Sequence, residues 1–405
     1  MLTIGALTMM LQPLCAQTED DYEYERASLC MMLQQHPAKR FGSEIQFIFS
    51  QMQLPERFNN HDLGVKLVSF AEEDRDAVTN TSSFLKQTAL GRRLIAKWFN
   101  RDKKTGKMNM ELVRERGLYN STKSAANIAR AQLRGKALLE DAGELLINNT
   151  YFVLNDITYV DKSVGINIFK DVANFTSNIA MTWTNMKVSD DDNPFVNPAL
   201  SSINGVLEDI KGFKVRIRSY LYRLKWNDDI ANQFYAQYYV DNKDYDKGKA
   251  AKFGQSKDLF ELEYVGMVEN TEANTTLKGT TTNEELIRKV CTRAVDKSLA
   301  GLQHKFADFR IKAPLISTEP LKAYVGMKED ITEKSRYEVL ERSVGKDGKV
   351  SYSRVGIIKP EAGKIWDNRY WASEEKTDKS SLDATYFKKV SGGDFYPGML
   401  IREIE

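Results

Sequence analysis

Histidine and cysteine are scarce in this 405-residue chain, with three of each. Each shortage excludes something. Nucleophilic hydrolysis needs a base beside the nucleophile, usually histidine, and His36, His61 and His304 sit in no recognisable motif. No Gly-x-Ser-x-Gly elbow occurs either. The cysteines, Cys15, Cys30 and Cys291, form no CxxC, and HExxH is absent, so no zinc signature exists. Two thiols this far apart in sequence carry no sign of pairing, and Cys291 falls on the apolar face of an expected helix, as a buried free thiol would. An excess of positive charge is also missing: 58 basic residues meet 56 acidic ones, a net charge of +2. A dedicated nucleic-acid binder needs a cation for each phosphate it neutralises, so nucleic acid is not an expected partner. Residues 135–143 (GKALLEDAG) have Gly-Lys but lack the rest of a phosphate loop. No cofactor or metal set is legible.

Long apolar runs are absent except at the start. Residues 1–17 (MLTIGALTMMLQPLCAQ) are uncharged and apolar, then TEDDYEYER turns abruptly acidic. Such a run is too short to span a bilayer and fits a signal peptide cleaved after Ala16. The expectation is an exported chain of residues 17–405 with no membrane span.

The remaining chain is long enough for more than one core. Residues 17–60 read as a helical lead, with SLCMMLQQ and SEIQFIFSQM as apolar helical segments. Residues 61–312 alternate strands and helices, which predicts a central α/β (α+β) layer domain. Within it, residues 64–70 predict a strand, 83–101 one amphipathic helix, 122–147 a helix, and INNTYFVLNDITYV the strand that follows. A helix is expected from Asp228, and another over 283–309 after the polar run NTEANTTLKGTTTN. Residues 187–200, with three acids and two prolines, predict a loop. From 313 to 405 the texture is short strands and turns, a small all-β domain. RYEVLERSV and KVSYSRVGII flank Lys346-Asp347-Gly348-Lys349, a hairpin signal, because both turn positions favour residues that tolerate positive φ.

Residues 323–341 (AYVGMKEDITEKSRYEVLE), that hairpin and the returning Val355-Gly356-Ile357-Ile358 resemble the C-terminal β-barrel of flagellar assembly protein T. The family pattern is a strand, Gly-x-Lys-x-Gly-Val, a Gly-Asp turn, an aromatic-x-Val strand and Val-Gly-x-Ile. Here Asp330 replaces the second glycine and Lys334-Ser335 the Gly-Asp. The preceding helix–strand order is similar to that protein's middle domain, which is related to the curli secretion lipoprotein. The whole also resembles exported Bacteroidetes proteins of unknown function. The resemblance implies a small SH3-like barrel at the C-terminus and an envelope role in assembly or scaffolding, with no catalytic residues to carry over.

Two acidic patterns invite chemistry and then fail on geometry. Residues 242–248 (NKDYDKG) imitate a calcium loop, but Lys247 stands in place of the invariant glycine and Phe253 in place of the closing glutamate. Asp156 and Asp161 are spaced to opposite faces of a strand, which separates a would-be glycosidase pair. Asp190, Asp191 and Asp192 read as a solvated loop.

One stretch stands out: residues 213–226, FKVRIRSYLYRLKW. Lys214, Arg216 and Arg218 share one strand face, with Val215 and Ile217 on the other. Residues 259–268 (LFELEYVGMV) place Glu261 and Glu263 at the same spacing. Two readings compete: a cationic strip for an acidic glycan, a phosphate or a nucleic acid, of which the near-neutral charge disfavours the last, and a cross-strand ladder in which Lys214, Arg216 and Arg218 pair with Glu261 and Glu263. An envelope protein or an acidic glycan is the partner expected for such a surface. The expected function is a non-catalytic envelope binding or scaffolding protein. The alternatives are a carboxylate-based hydrolase of envelope glycan and a component of a secretion or assembly complex, and the sequence sets no oligomeric state.

Overall fold

The computed structural model describes residues 26–70, 76–120, 133–160, 212–241, 243, 245–275, 282–344, 350–372 and 382–404. The expected signal peptide, Asp161, the aspartates at 190–192 and the turn at 346–349 lie outside the described residues. The chain is built from helices and two sheets, one mixed and one antiparallel.

The first sheet runs in the order β2–β1–β4–β5–β6, with β3 also paired to β1. Its strands are β1 (Ser28–Gln34), β2 (Asn59–Asn60), β3 (Leu67–Val68), β4 (Thr150–Tyr159), β5 (Gly212–Leu224) and β6 (Leu262–Thr275). The first four are parallel; β5 and β6 add on antiparallel. The stretch SLCMMLQ, expected to be helical, is therefore the strand on which the sheet is centred. A strand buried on both faces reads as one continuous apolar run, and without β-branched residues nothing separates it from a buried helix. The layer domain accordingly begins ahead of residue 61.

Helices cover both faces. Helix α1 (Gly42–Gln51) lies on one. The predicted helix over 83–101 is two, α2 (Ala77–Gln87) and α3 (Leu90–Trp98), broken where Ala89 takes φ 47°. Next come α4 (Glu111–Asn120) and α5 (Leu133–Glu144), then α6 (Asp228–Gln237), α7 (Lys247–Gln255) and α8 (Asn283–Lys305). The close approach of α4 to α5 needs glycine: a Cβ at Gly117 would lie 2.1 Å from the Leu139 carbonyl oxygen, and one at Gly143 would lie 1.9 Å from that of Val113. Helix α8 starts at a capping box, Thr282 with Glu285, which satisfies otherwise orphaned N–H groups at its start.

The pleat sorts the strands into two cores. Cys30, Met32, Phe152, Leu154, Tyr220 and Tyr222 face α2, α3, α6 and α7. Leu29, Met31, Leu33, Tyr151, Val153, Val215 and Ile217 face α1 and α8. Cys30 and Cys291 belong to opposite cores, both buried and both free. Burial pushes the Cys30 thiol up to about 12, and raises that of Cys291 as well, so both are inert thiols.

The second sheet has six antiparallel strands: β7 (Ala313–Thr318), β8 (Leu321–Ala323), β9 (Arg336–Val344), β10 (Val350–Pro360), β11 (Thr385–Gly392) and β12 (Leu400–Ile404). They pair in a closed ring, β10–β11–β8–β7–β12–β9, around Leu315, Val339, Ile358, Phe387 and Ile401. Asp330 adopts φ 58°, a left-handed conformation that glycine takes without strain. The ring rests on α8 through polar contacts: Lys328 lies 3.6 Å from Asp296, and His304 2.8 Å from Glu403. Arg293 donates to the Tyr370 carbonyl at 3.0 Å.

Candidate functional site

Strand β5 forms as the alternation predicts, and its neighbour β6 is the predicted acidic strand. The register differs. Arg218 lies opposite Glu269, Arg216 opposite Thr271 and Lys214 opposite Ala273. The expected partners sit elsewhere: Glu263 is opposite Arg223 and 3.2 Å from Lys225, while Glu261 precedes β6 and accepts the Lys225 N–H through its carbonyl. Period two fixes which residues share a face, and says nothing about how far one strand slides along the other. Strand β6 also runs on to Thr275, through residues that read as a polar connection, with a bulge at the level of Leu221 and Tyr222.

With this register, the basic strip has three rows across β4, β5 and β6. The first is Asp156, Arg218 and Glu269; the second is Thr158, Arg216 and Thr271; in the third Ala273 lies beside Lys214. Arg218 donates from Nε to Glu269 at 2.6 Å and lies 4.0 Å from Asp156. Arg216 is exposed and Lys214 half-buried, and among the described residues neither has an ion-pair partner. None of the expected pairings with Glu261 or Glu263 therefore forms; the one ion pair from the strip to β6 among the described residues is Arg218 with Glu269.

Asp156 has a second contact that the sequence does not suggest. Its Oδ1 lies 2.7 Å from Nε2 of His36, just past the end of β1. Burial opposes ionisation of Asp156, but the His36 hydrogen bond and the charges of His36, Lys39 and Arg218 outweigh it and hold the carboxyl below its usual range. The hydrogen bond from Arg218 does the same for Glu269. Both carboxylates are thus charged at neutral pH. Beneath the face a buried hydroxyl chain ties the layers together: Ser298 to Ser219 at 2.8 Å, and Ser219 to Asn155 at 2.6 Å. The strip therefore stands on a rigid support.

The other histidines are used structurally. His61 is fully buried between the Leu94 carbonyl and Arg116, and burial, then the Arg116 charge, push its pKa well below the ordinary value. His304 is bound to Glu403. No serine or cysteine side chain is hydrogen-bonded to His36 among the described residues, so no nucleophile–base pair forms there. In the would-be calcium loop, Asp246 spends its carboxylate capping α7 through the N–H groups of Gly248 and Lys249. No cluster of metal-ligating side chains occurs among the described residues, and no helix there is long and apolar enough to cross a membrane. His36 and Asp156 are 120 positions apart, and nothing local in the sequence joins them.

No protein-family model matches the chain, and no curated protein matches it.

Proposed function

We propose that the chain is an exported bacterial envelope protein that acts by binding, and that Lys214, Arg216 and Arg218 grip an extended acidic segment of another envelope protein. The observation that carries this reading is the pair Arg216 and Lys214. They stand opposite a threonine and an alanine, and neither makes an ion pair among the described residues, although the charge of Arg216 reaches Glu269. Their charges repeat every second residue, about 6.6–6.8 Å along the strand, which is the repeat of alternate acids in an extended peptide. Glu269 of β6 is the acidic residue that Arg218 already holds, at 2.6 Å, which leaves Lys214 and Arg216 as the outward charges of the strip. Export rests on the apolar run of residues 1–17 and the acidic sequence after it. The six-stranded ring is read as an SH3-like barrel that braces α8, the helix behind the strip.

Carboxylate hydrolysis fits less well. A glycosidase needs one carboxylic acid held protonated beside a carboxylate, whereas Asp156 and Glu269 are both held ionised around Arg218. The carboxyls raised by burial, Glu144 and Asp296, lie elsewhere: Glu144 against Tyr235, and Asp296 at the joint with the ring.

The test is fluorescence anisotropy with a labelled short peptide of alternating Glu and Thr. Oligogalacturonate serves as the glycan comparison. Binding of the peptide that weakens as salt shortens the Debye length, from about 10 Å at 0.1 M to about 3 Å at 1 M, is the expected result. Binding of the glycan alone replaces the protein partner with a polysaccharide. Binding of neither sinks the proposal.

A further inference from the structure

The edge of β1 away from β4 is covered in two pieces. Strand β2 pairs with Ser28 and Leu29, and β3 with Leu33 and Gln34. Between them Cys30, Met31 and Met32 meet no strand on that side. The flanking hydrogen bonds show which residues point their main-chain groups that way. The carbonyls of Ala27 and Leu29 accept from Asn59 and His61 at 2.9 and 3.0 Å, and the N–H groups of Leu33 and Gln35 donate to Lys66 and Val68 at 2.7 and 2.8 Å. Strand alternation places Met31 in the same set. Its N–H and C=O find no partner on that side among the described residues, although Met31 is only 8% exposed. A buried main-chain pair left open is rare in a folded protein and costs stability unless something answers it.

The gap opens on a cavity of about 420 Å³. Met31, Phe49, Met52, Leu54 and Phe58 form the apolar side of its wall, and polar groups, Asp62 and Lys66 among them, line at least as much of it. Lys66 donates from Nζ to the Met52 carbonyl at 2.5 Å, pinning the segment after α1 against β3 and fixing one wall. The volume falls in the range of small-molecule sites, roughly 300–1,000 Å³. A water could answer the open amide but would leave the apolar walls unfilled, and the two methionines give those walls an adaptable surface.

We propose that this cavity binds a peptide-like amide carrying one apolar side chain, whose C=O and N–H complete the missing rung at Met31. The gap spans three residues, about 10 Å at 3.3 Å each, and is closed at both ends by β2 and β3. It therefore admits a single residue with its flanking amides and excludes a strand running through. The site is separate from the basic strip and does not depend on it.

The experiment is an amide-resolved NMR titration of the full protein with N-acetyl-leucinamide, with N-acetyl-glycinamide as the comparison. The expected result is a shift of the Met31 amide with slowed hydrogen exchange, and at least tenfold tighter binding of the leucine compound. Equal binding of the two, or no response at Met31, overturns the proposal. Leu54→Trp fills the cavity from its half-buried wall and is expected to abolish binding with the melting temperature kept; undiminished binding in that variant also overturns it. Should the variant fail to fold, the leucine–glycine comparison on the unaltered protein decides.

Discussion

One face of β5 holds two contrasting halves. Lys214, Arg216 and Arg218 occupy its first half; Tyr220, Tyr222 and Leu224 occupy the same face of the second. The opposite face is apolar along most of the strand, from Phe213, Val215 and Ile217 to Leu221. Both halves belong to one continuous strand, so the difference lies in what covers them. Tyr220, Tyr222 and Leu224 are packed against Phe84, Leu85, Leu90 and their neighbours, while among the described residues the basic half lies outside that core. The switch from charge to aromatic between Arg218 and Tyr220 marks the rim of the helical layer.

The largest effect is expected on the covered half. Tyr222 is fully buried, and Tyr222→Ala should cost about 3–5 kcal/mol in urea unfolding, the range for emptying an aromatic core site. A cost below about 1 kcal/mol would mean that the helices do not depend on that face.

A charge with partners provides the next comparison. Glu338 in the ring accepts from Arg354 at 2.8 Å and from Arg402 at 2.7 Å, and is 3% exposed. Burial raises its pKa, but the two arginines outweigh this and hold it low. Glu338→Ala should cost about 2 kcal/mol, because hydrogen bonds to charged groups are worth roughly 1.5–3 each and the arginines are partly solvated. The strip should behave differently. Arg218→Ala loses a solvated pair worth about 0.2–1 kcal/mol, and Arg216→Ala should stay within about 0.5 kcal/mol of wild type, having no pair to lose. A destabilisation by Arg216→Ala as large as that by Arg218→Ala would show that Arg216 is held by the fold after all.

pH separates the strip from the joint with the ring. The hydrogen bond from His304 to Glu403 raises the His304 pKa above its ordinary 6.5. A raised folded-state pKa contributes stability that is complete below 6.5 and is lost as pH rises through the raised value. The melting temperature should therefore decline over that interval in wild type and less so in His304→Gln. An identical pH profile for the two would remove His304 from the account of the joint.

Much of this was legible in the residues. The alternation of β5, the long helix expected over 283–309, which ends at Lys305, and the strands either side of Lys346-Asp347-Gly348-Lys349 follow from local chemistry. What failed depends on distant parts of the chain. Ser28–Gln34 is a strand because its neighbours in the sheet make it one; its own side chains fit a helix equally well. The break at Ala89 leaves no mark in the apolar pattern, since both short helices present the same face to the core. At the candidate site, the composition of the strip was readable but its partners were not. Register decided that Glu269, and not Glu261 or Glu263, meets Arg218, and the fold alone brings His36 to Asp156.

The central claim is that Lys214 and Arg216 are kept for a partner and not for the fold. Charge reversal of both, Lys214→Glu with Arg216→Glu, tests it through one comparison: affinity for the alternating Glu/Thr peptide beside the melting temperature. The account predicts at least a tenfold loss of affinity with the melting temperature held within about 2 °C. Unchanged affinity, or a melting temperature that falls together with the binding, would contradict it.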